Sequence, residues 1–199
     1  MLIEAASSQL VLVDYQTRLM PALFEAPLVL ANALCLAKAA HLLAVPVWGT
    51  EQMPSKLGHN DAPLRALCQQ TLGKSHFSAA SGLAAWLRPP VQRATGNARS
   101  LPKHLQKAGA PSEERNTVVL AGCEAHICLL QTALDLLADE FEVWVVTDAC
   151  TSRTERNRDA AFDRLAGAGV ELVSTEMVVF EWLRSAEHPA FREVQALIK

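Results

Sequence analysis

Short, unbroken runs of apolar residues constrain this chain most. Leu10–Val13, Val45–Trp48, Thr117–Ala121 and Phe141–Val146 are rich in valine and leucine, and a fifth run, Val170–Val173, is shorter. Strands solvated on one face alternate apolar and polar residues, whereas strands buried on both faces read as continuous apolar runs. Helical patterns separate the runs. Strands alternating with helices imply right-handed βαβ units and a mostly parallel sheet with helices on both faces. The expected fold is therefore α/β: a three-layer α/β/α, Rossmann-like arrangement.

The helices are expected at Pro27–Ala44, at Asp61 or Ala62 to Gln69, at Ser81–Leu87, at Glu124–Ala138, from Thr154 to Ala166, from Ser174 or Thr175 to Leu183, and at His188–Ile198. Ser81, and Ser174 or Thr175, are expected N-caps. Helix Pro27–Ala44 carries so few polar residues that it is buried on more than one side. It packs either between the sheet and other helices or in a subunit interface, and it suggests a homo-oligomer. His41 is read as an ordinary polar-face residue. Val91–Asn116 is the polar part of the chain, with an amphipathic helix expected over Leu101–Ala108. Each flank of it holds only two or three strands, too few for a separate core, so residues 1–199 read as one domain.

The 199 residues carry a net charge of −3 and no dense run of Lys or Arg. That disfavours a nucleic-acid or polybasic membrane surface and leaves a small-molecule partner. The most apolar stretch, Leu28–Leu43, is interrupted by Asn32, Lys38 and His41 and is too polar and short to span a bilayer. The N-terminus has no basic segment leading into a long apolar run. The five cysteines are odd in number, irregularly spaced and in no zinc pattern. A reduced, cytoplasmic setting follows, with most thiols acting as small core residues.

No glycine-rich dinucleotide fingerprint follows the first strand, and no Walker loop, nucleophile-elbow serine or His-Glu-x-x-His pair is present. No metal or cofactor is expected. Three chemically useful residues remain near strand ends or loops. Asp14 directly follows the first strand, at the edge where open α/β sheets place their sites, although a turn-forming Asp reads the same way. Lys74 lies in a loop. Cys128 lies near the start of a helix, where outward N–H groups and the helix dipole favour thiolate. An acid, an amine and a thiol suffice for nucleophilic catalysis. A buried structural thiol at Cys128 is the alternative.

Five segments, in order, carry a resemblance: Val11–Gln16, Thr50–Gln52, Gly73-Lys74 with Phe77-Ser78, Gly122–Ala133 and Asp148–Arg153, with Ser174–Glu176 fitting as well. Together they resemble the isochorismatase-like cysteine hydrolase family, and within it the isochorismatase domain-containing proteins and bacterial hydrolases of uncertain substrate. The resemblance implies Asp14, Lys74 and Cys128 as a triad with Cys128 the nucleophile. It also implies a non-proline cis peptide just before Glu124. Backbone N–H groups of Glu124 and Cys128 would then form an oxyanion hole. Gln16, Glu51, Phe77 and His126 are the candidate pocket walls. Cys123 stands where the family usually has Val or Ile, which gives it a packing role.

The sequence also departs from parts of the family. Its nicotinamidases carry an Asp-x-His metal site after the second strand, where this chain reads TEQMPSKLGHND with His59 alone. True isochorismatases need no cysteine, so Cys128 points to covalent acyl chemistry on a small amide-like C–N bond. The rival readings are a catalytically silent interaction subunit and a metal-dependent, nicotinamidase-like amidase.

Overall fold

The computed structural model describes residues 1–89 and 115–198. The helix expected over Leu101–Ala108 lies outside them. Six strands form one sheet in the order β3-β2-β1-β4-β5-β6, and every adjacent pair is parallel. They are β1 (Ser8–Val13), β2 (Val47–Gln52), β3 (Gln70–Lys74), β4 (Thr117–Cys123), β5 (Glu142–Thr151) and β6 (Glu171–Val173).

Helices α1 (Ala26–Leu42), α7 (Thr175–Leu183) and α8 (Phe191–Ile198) pack together on one face. Helices α4 (Ala80–Leu87), α5 (Leu130–Ala138) and α6 (Glu155–Gly167) pack on the other. Two short helices, α2 (Pro54–Leu57) and α3 (Ala62–Ala66), lie in the β2–β3 connection. The chain winds outward from β1 in one direction and from β4 in the other. Right-handed crossovers then force the two sets of helices onto opposite faces.

Helix α1 packs on the sheet and against helices α7 and α8. Its Ala33, Ala37, Ala39 and Ala40 are buried, and such small side chains permit a close approach on both sides. Packing within the chain covers the alanine face, while Leu28, 58% exposed, and Leu42, 36% exposed, stay on the surface.

Strands β1 and β4 are buried at every position. They meet at Val13 and Gly122. A Cβ on Gly122 would lie 2.6 Å from the Val13 Cβ and 2.7 Å from its carbonyl oxygen. Both neighbours belong to a central strand that cannot yield. Gly122→Ala is therefore expected to cost about 2–3 kcal/mol by overpacking, read as a lower denaturation midpoint at unchanged slope. An unchanged midpoint would show that the two strand ends are free to part.

Several elements differ from the sequence expectations, among them β2, which runs Val47–Gln52 and not Val45–Trp48. The helix expected to end at Gln69 ends at Ala66, and Gln70–Lys74, expected as loop after it, is the edge strand β3. It is only half-buried and so needs no apolar run. Ser81 lies inside α4, whose N-cap is Ala79, without a side-chain cap bond. Strand β5 continues past Val146 to Thr151 through an irregularity: Leu120 pairs with Val145, but Gly122 already pairs with Cys150. Residues 146–149 therefore stand opposite Ala121 alone. The Tyr15 hydroxyl donates to the Ala149 carbonyl and ties this bulge to the end of β1. Ser174 and Thr154 cap their helices by accepting from the N–H groups of Met177 and Asn157, both at 3.3 Å.

Candidate active site

The winding direction reverses between β1 and β4, and the carboxyl ends of strands flanking such a reversal enclose a crevice. Asp14 follows β1 there with φ 57°, a left-handed conformation uncommon for a non-glycine residue. The turn sends its side chain back under the crevice, where it is fully buried. Thr50 Oγ1 donates to Asp14 Oδ1 at 2.7 Å, and Lys74 Nζ meets Oδ2 at 2.8 Å. The Asp14 and Lys74 side chains are only 1% and 5% exposed, so this ion pair is screened far less than a surface pair. Lys74 Nζ also donates to Gln52 Oε1 at 2.8 Å and to the Phe77 carbonyl at 3.0 Å.

Cys128 enters from the opposite side of the crevice. After β4 the chain turns at Glu124, φ 50° and ψ 60°, into a π-helical segment, Ala125–Leu129, before α5 begins. Single π turns inside helices recur at functional sites because they re-aim a side chain. Here the segment presents Cys128. The peptide bond before Glu124 is not cis, since no cis bond occurs among the described residues. The left-handed Glu124 reverses the chain instead. A carboxylate–guanidinium bond holds that conformation, Arg153 Nε to Glu124 Oε1 at 2.8 Å.

Asp14 and Lys74 both act on the Cys128 thiol through their charges. The thiol is nevertheless pushed up to about 12, first by burial and then by the Asp14 carboxylate, with Lys74 opposing. The expected thiolate preference at a helix start is therefore reversed in the resting site, because desolvation of the charged form outweighs the nearby cation. At neutral pH Cys128 rests as a thiol, so any nucleophilic step has to begin with proton removal.

The four candidate wall residues are placed differently. His126 lies beside the nucleophile turn, its Nδ1 2.9 Å from Ser152 Oγ and 3.4 Å from Glu124 Oε2. Phe77 brings its carbonyl to Lys74, while the residue is 52% exposed and borders a surface depression with Ser75, His76, Gln131 and Asp135. Gln16 is fully buried: its amide nitrogen donates to the Gln52 and Gly58 carbonyls, and its oxygen accepts from Gln52 N–H. Glu51 bonds His59, Asn60 N–H and Arg65 instead.

Successive strand residues point to opposite faces. Thr50 and Gln52 accordingly share the side facing Asp14 and Lys74, and Glu51 takes the other. Thr50 and Gln52 had no individual role in the sequence reading. The alternation along a strand ending near Asp14 was the available signal. Among the described residues, no group of three or more His, Cys, Asp or Glu side chains is placed to hold a metal ion. All five cysteines are free thiols.

A model of the isochorismatase domain matches residues 8–177. The chain belongs to the isochorismatase family. It is 37% identical to isochorismatase domain-containing protein 2 of Bos taurus over 193 residues, 97% of this chain and 83% of that protein. A Caenorhabditis elegans structure described as the MAR1 ribonuclease shares 29% identity at a TM-score of 0.83, covering 100% of this chain and 92% of that one. The Escherichia coli YcaC structure, described as an octameric hydrolase of unknown specificity, shares the fold at 20% identity and a TM-score of 0.77, covering 98% of this chain and 95% of that one. The six-stranded parallel sheet and its helical layers are thus the isochorismatase-like α/β fold. Among the described residues no helix is long and apolar enough to cross a membrane.

Proposed function

We propose that this chain is a cysteine hydrolase that cleaves a small amide-like C–N bond through a thioester on Cys128. One observation carries the reading: the buried Asp14–Lys74 pair, 2.8 Å apart, acts on a thiol delivered from the other side of the switch-point crevice. Asp14 takes the proton of Cys128 as the sulfur attacks the substrate carbonyl. Backbone N–H groups of Glu124 and Cys128 receive the developing oxyanion. Lys74 holds Asp14 and opposes the build-up of negative charge. The C–N bond breaks as Asp14 returns the proton to the leaving amine, leaving a thioester. Asp14 then draws a proton from water, which attacks the thioester. The acid is released and Cys128 recovers its proton.

His126 and Phe77 are the wall residues best placed to meet a substrate, whereas Gln16 and Glu51 act within the protein. The chain works as one cytoplasmic domain that self-associates, without a cofactor. The ribonuclease description of the worm relative is not carried over, because a net charge of −3 without a basic run suits RNA poorly.

The test is ammonia release from a panel of small primary amides. At least one is expected to turn over, and Asp14→Asn should lower that rate by about three orders of magnitude, as loss of a general base does. No release from any amide, together with no adduct on Cys128, would identify a silent scaffold.

A further inference from the structure

Lys74 is held more completely than an ion pair requires. An ammonium has three donor hydrogens, and Nζ has three acceptors: Asp14 Oδ2 at 2.8 Å, Gln52 Oε1 at 2.8 Å and the Phe77 carbonyl at 3.0 Å. With all three committed, Lys74 acts through the position of its charge and not as a donor to substrate. Gln52 is the only uncharged side chain of the three acceptors, and its orientation is fixed in turn. Its Nε2 donates to the Ser75 carbonyl at 2.7 Å, so the amide cannot flip without turning an N–H against the ammonium.

The Gln52 backbone is held as firmly. Its N–H donates to Gln16 Oε1 at 2.8 Å, and its carbonyl accepts from Gln16 Nε2 at 3.0 Å. Gln16 Nε2 donates further to the Gly58 carbonyl at 2.6 Å. Gln52 and Lys74 are also register partners at the ends of β2 and β3. A half-buried amide, clamped at both ends, thus faces the cation that opposes Asp14 at the thiol.

We propose that Gln52 is a positioning residue for the hydrolytic reaction, and that it sets the Lys74 charge against Asp14 and so tunes the reactivity of Cys128. This rests on the reading of Cys128 as nucleophile. The charged groups acting on Cys128 are Asp14, beyond β1, and Lys74, on β3. On its own turn, Glu124 pairs with Arg153, and His126 meets Ser152 and Glu124. Neutrality at position 52 matters because a carboxylate there would share the one ammonium with Asp14. Lys74 would then oppose less of the negative charge facing the thiol.

The experiment is the pH dependence of Cys128 alkylation by iodoacetamide, resolved by peptide mass spectrometry, in the wild type, Gln52→Glu and Gln52→Met. Gln52→Met removes the amide but adds no charge. Gln52→Glu is expected to move the alkylation midpoint up by about one pH unit, about a tenfold loss of thiolate at any lower pH. Gln52→Met, which frees Lys74 from one of its three contacts without adding charge, is expected to move it up by a smaller amount, about 0.5 of a unit. A purely structural role predicts equal losses of rate in both variants with no difference in midpoint, and that result overturns the proposal. Gln52→Asp carries the same charge on a shorter side chain and decides the matter if Gln52→Glu fails to fold. If wild-type Cys128 shows no pH-dependent alkylation, the nucleophile reading fails and this proposal with it. If it does and the midpoints coincide, only this proposal fails.

Discussion

Cys128→Ala is expected to abolish turnover of any amide the wild type hydrolyses, with the fold intact. The expected loss is about six orders of magnitude, because removing a nucleophile removes the covalent route altogether. The stability cost should be small. The side chain loses one sulfur from a π-helical turn that is anchored elsewhere, by Arg153 on Glu124 and by Thr132 Oγ1 donating to the Cys128 carbonyl at 2.7 Å. A buried Cys→Ala truncation of this kind costs about 1 kcal/mol. The paired measurements are ammonia release and a urea denaturation curve. Turnover retained in the folded variant would mean that Asp14 activates water directly and that no thioester forms.

Lys74→Met should have the largest effect on stability. It leaves a carboxylate that is 1% exposed with its counter-ion gone and only Thr50 Oγ1 bonded to it. Removing one partner of a buried ion pair costs about 3–5 kcal/mol, mostly the penalty of an uncompensated charge. It also strands the Gln52 oxygen and the Phe77 carbonyl, both of which lose a donor. The double variant Asp14→Asn, Lys74→Met removes the charge together with its partner and is expected to recover most of the lost stability while remaining inactive. Equal stability of Lys74→Met and wild type would show the pair to be solvated and the crevice wet. That would also remove the reason for placing proton transfer at Asp14.

Much of this organisation was legible in the residues. Strands β1 and β4 are buried on both faces, so burial wrote itself as unbroken Val and Leu runs, and Asp14 could be placed at the crevice from position alone. Strand β3 was not legible. An edge strand packs on one side, and Gln70–Lys74 is half-exposed, so Lys74 read as a loop residue although the sheet delivers it. The second half of β5 was missed for a different reason. Thr147 and Asp148 look like a loop, yet Ala149 at the end of the bulge and Cys150 and Thr151 beyond it are buried. The π turn at Cys128 was hidden because Glu124–Ala138 has an ordinary helical pattern, and one extra residue per turn leaves no mark on apolar spacing. The preference for thiolate failed because a helix start was weighed without the burial around it. Glu51 is one of the four expected pocket walls, whereas strand alternation turns its neighbours Thr50 and Gln52 toward Asp14 and Lys74.

The central claim is that Asp14 and Lys74 make Cys128 the reactive thiol even though it is more deeply buried than two of the others. Cys35 and Cys68 are part-exposed, whereas Cys128 is 6% exposed and pushed up to about 12. Simple accessibility therefore predicts that Cys35 and Cys68 react first. Treatment with a small amide-bearing electrophile such as acrylamide, followed by peptide mass spectrometry, separates the two. The mechanism predicts an adduct on Cys128 ahead of the other four thiols, and its loss in Asp14→Asn. Adducts on Cys35 and Cys68 with Cys128 unmodified in the folded protein would contradict it.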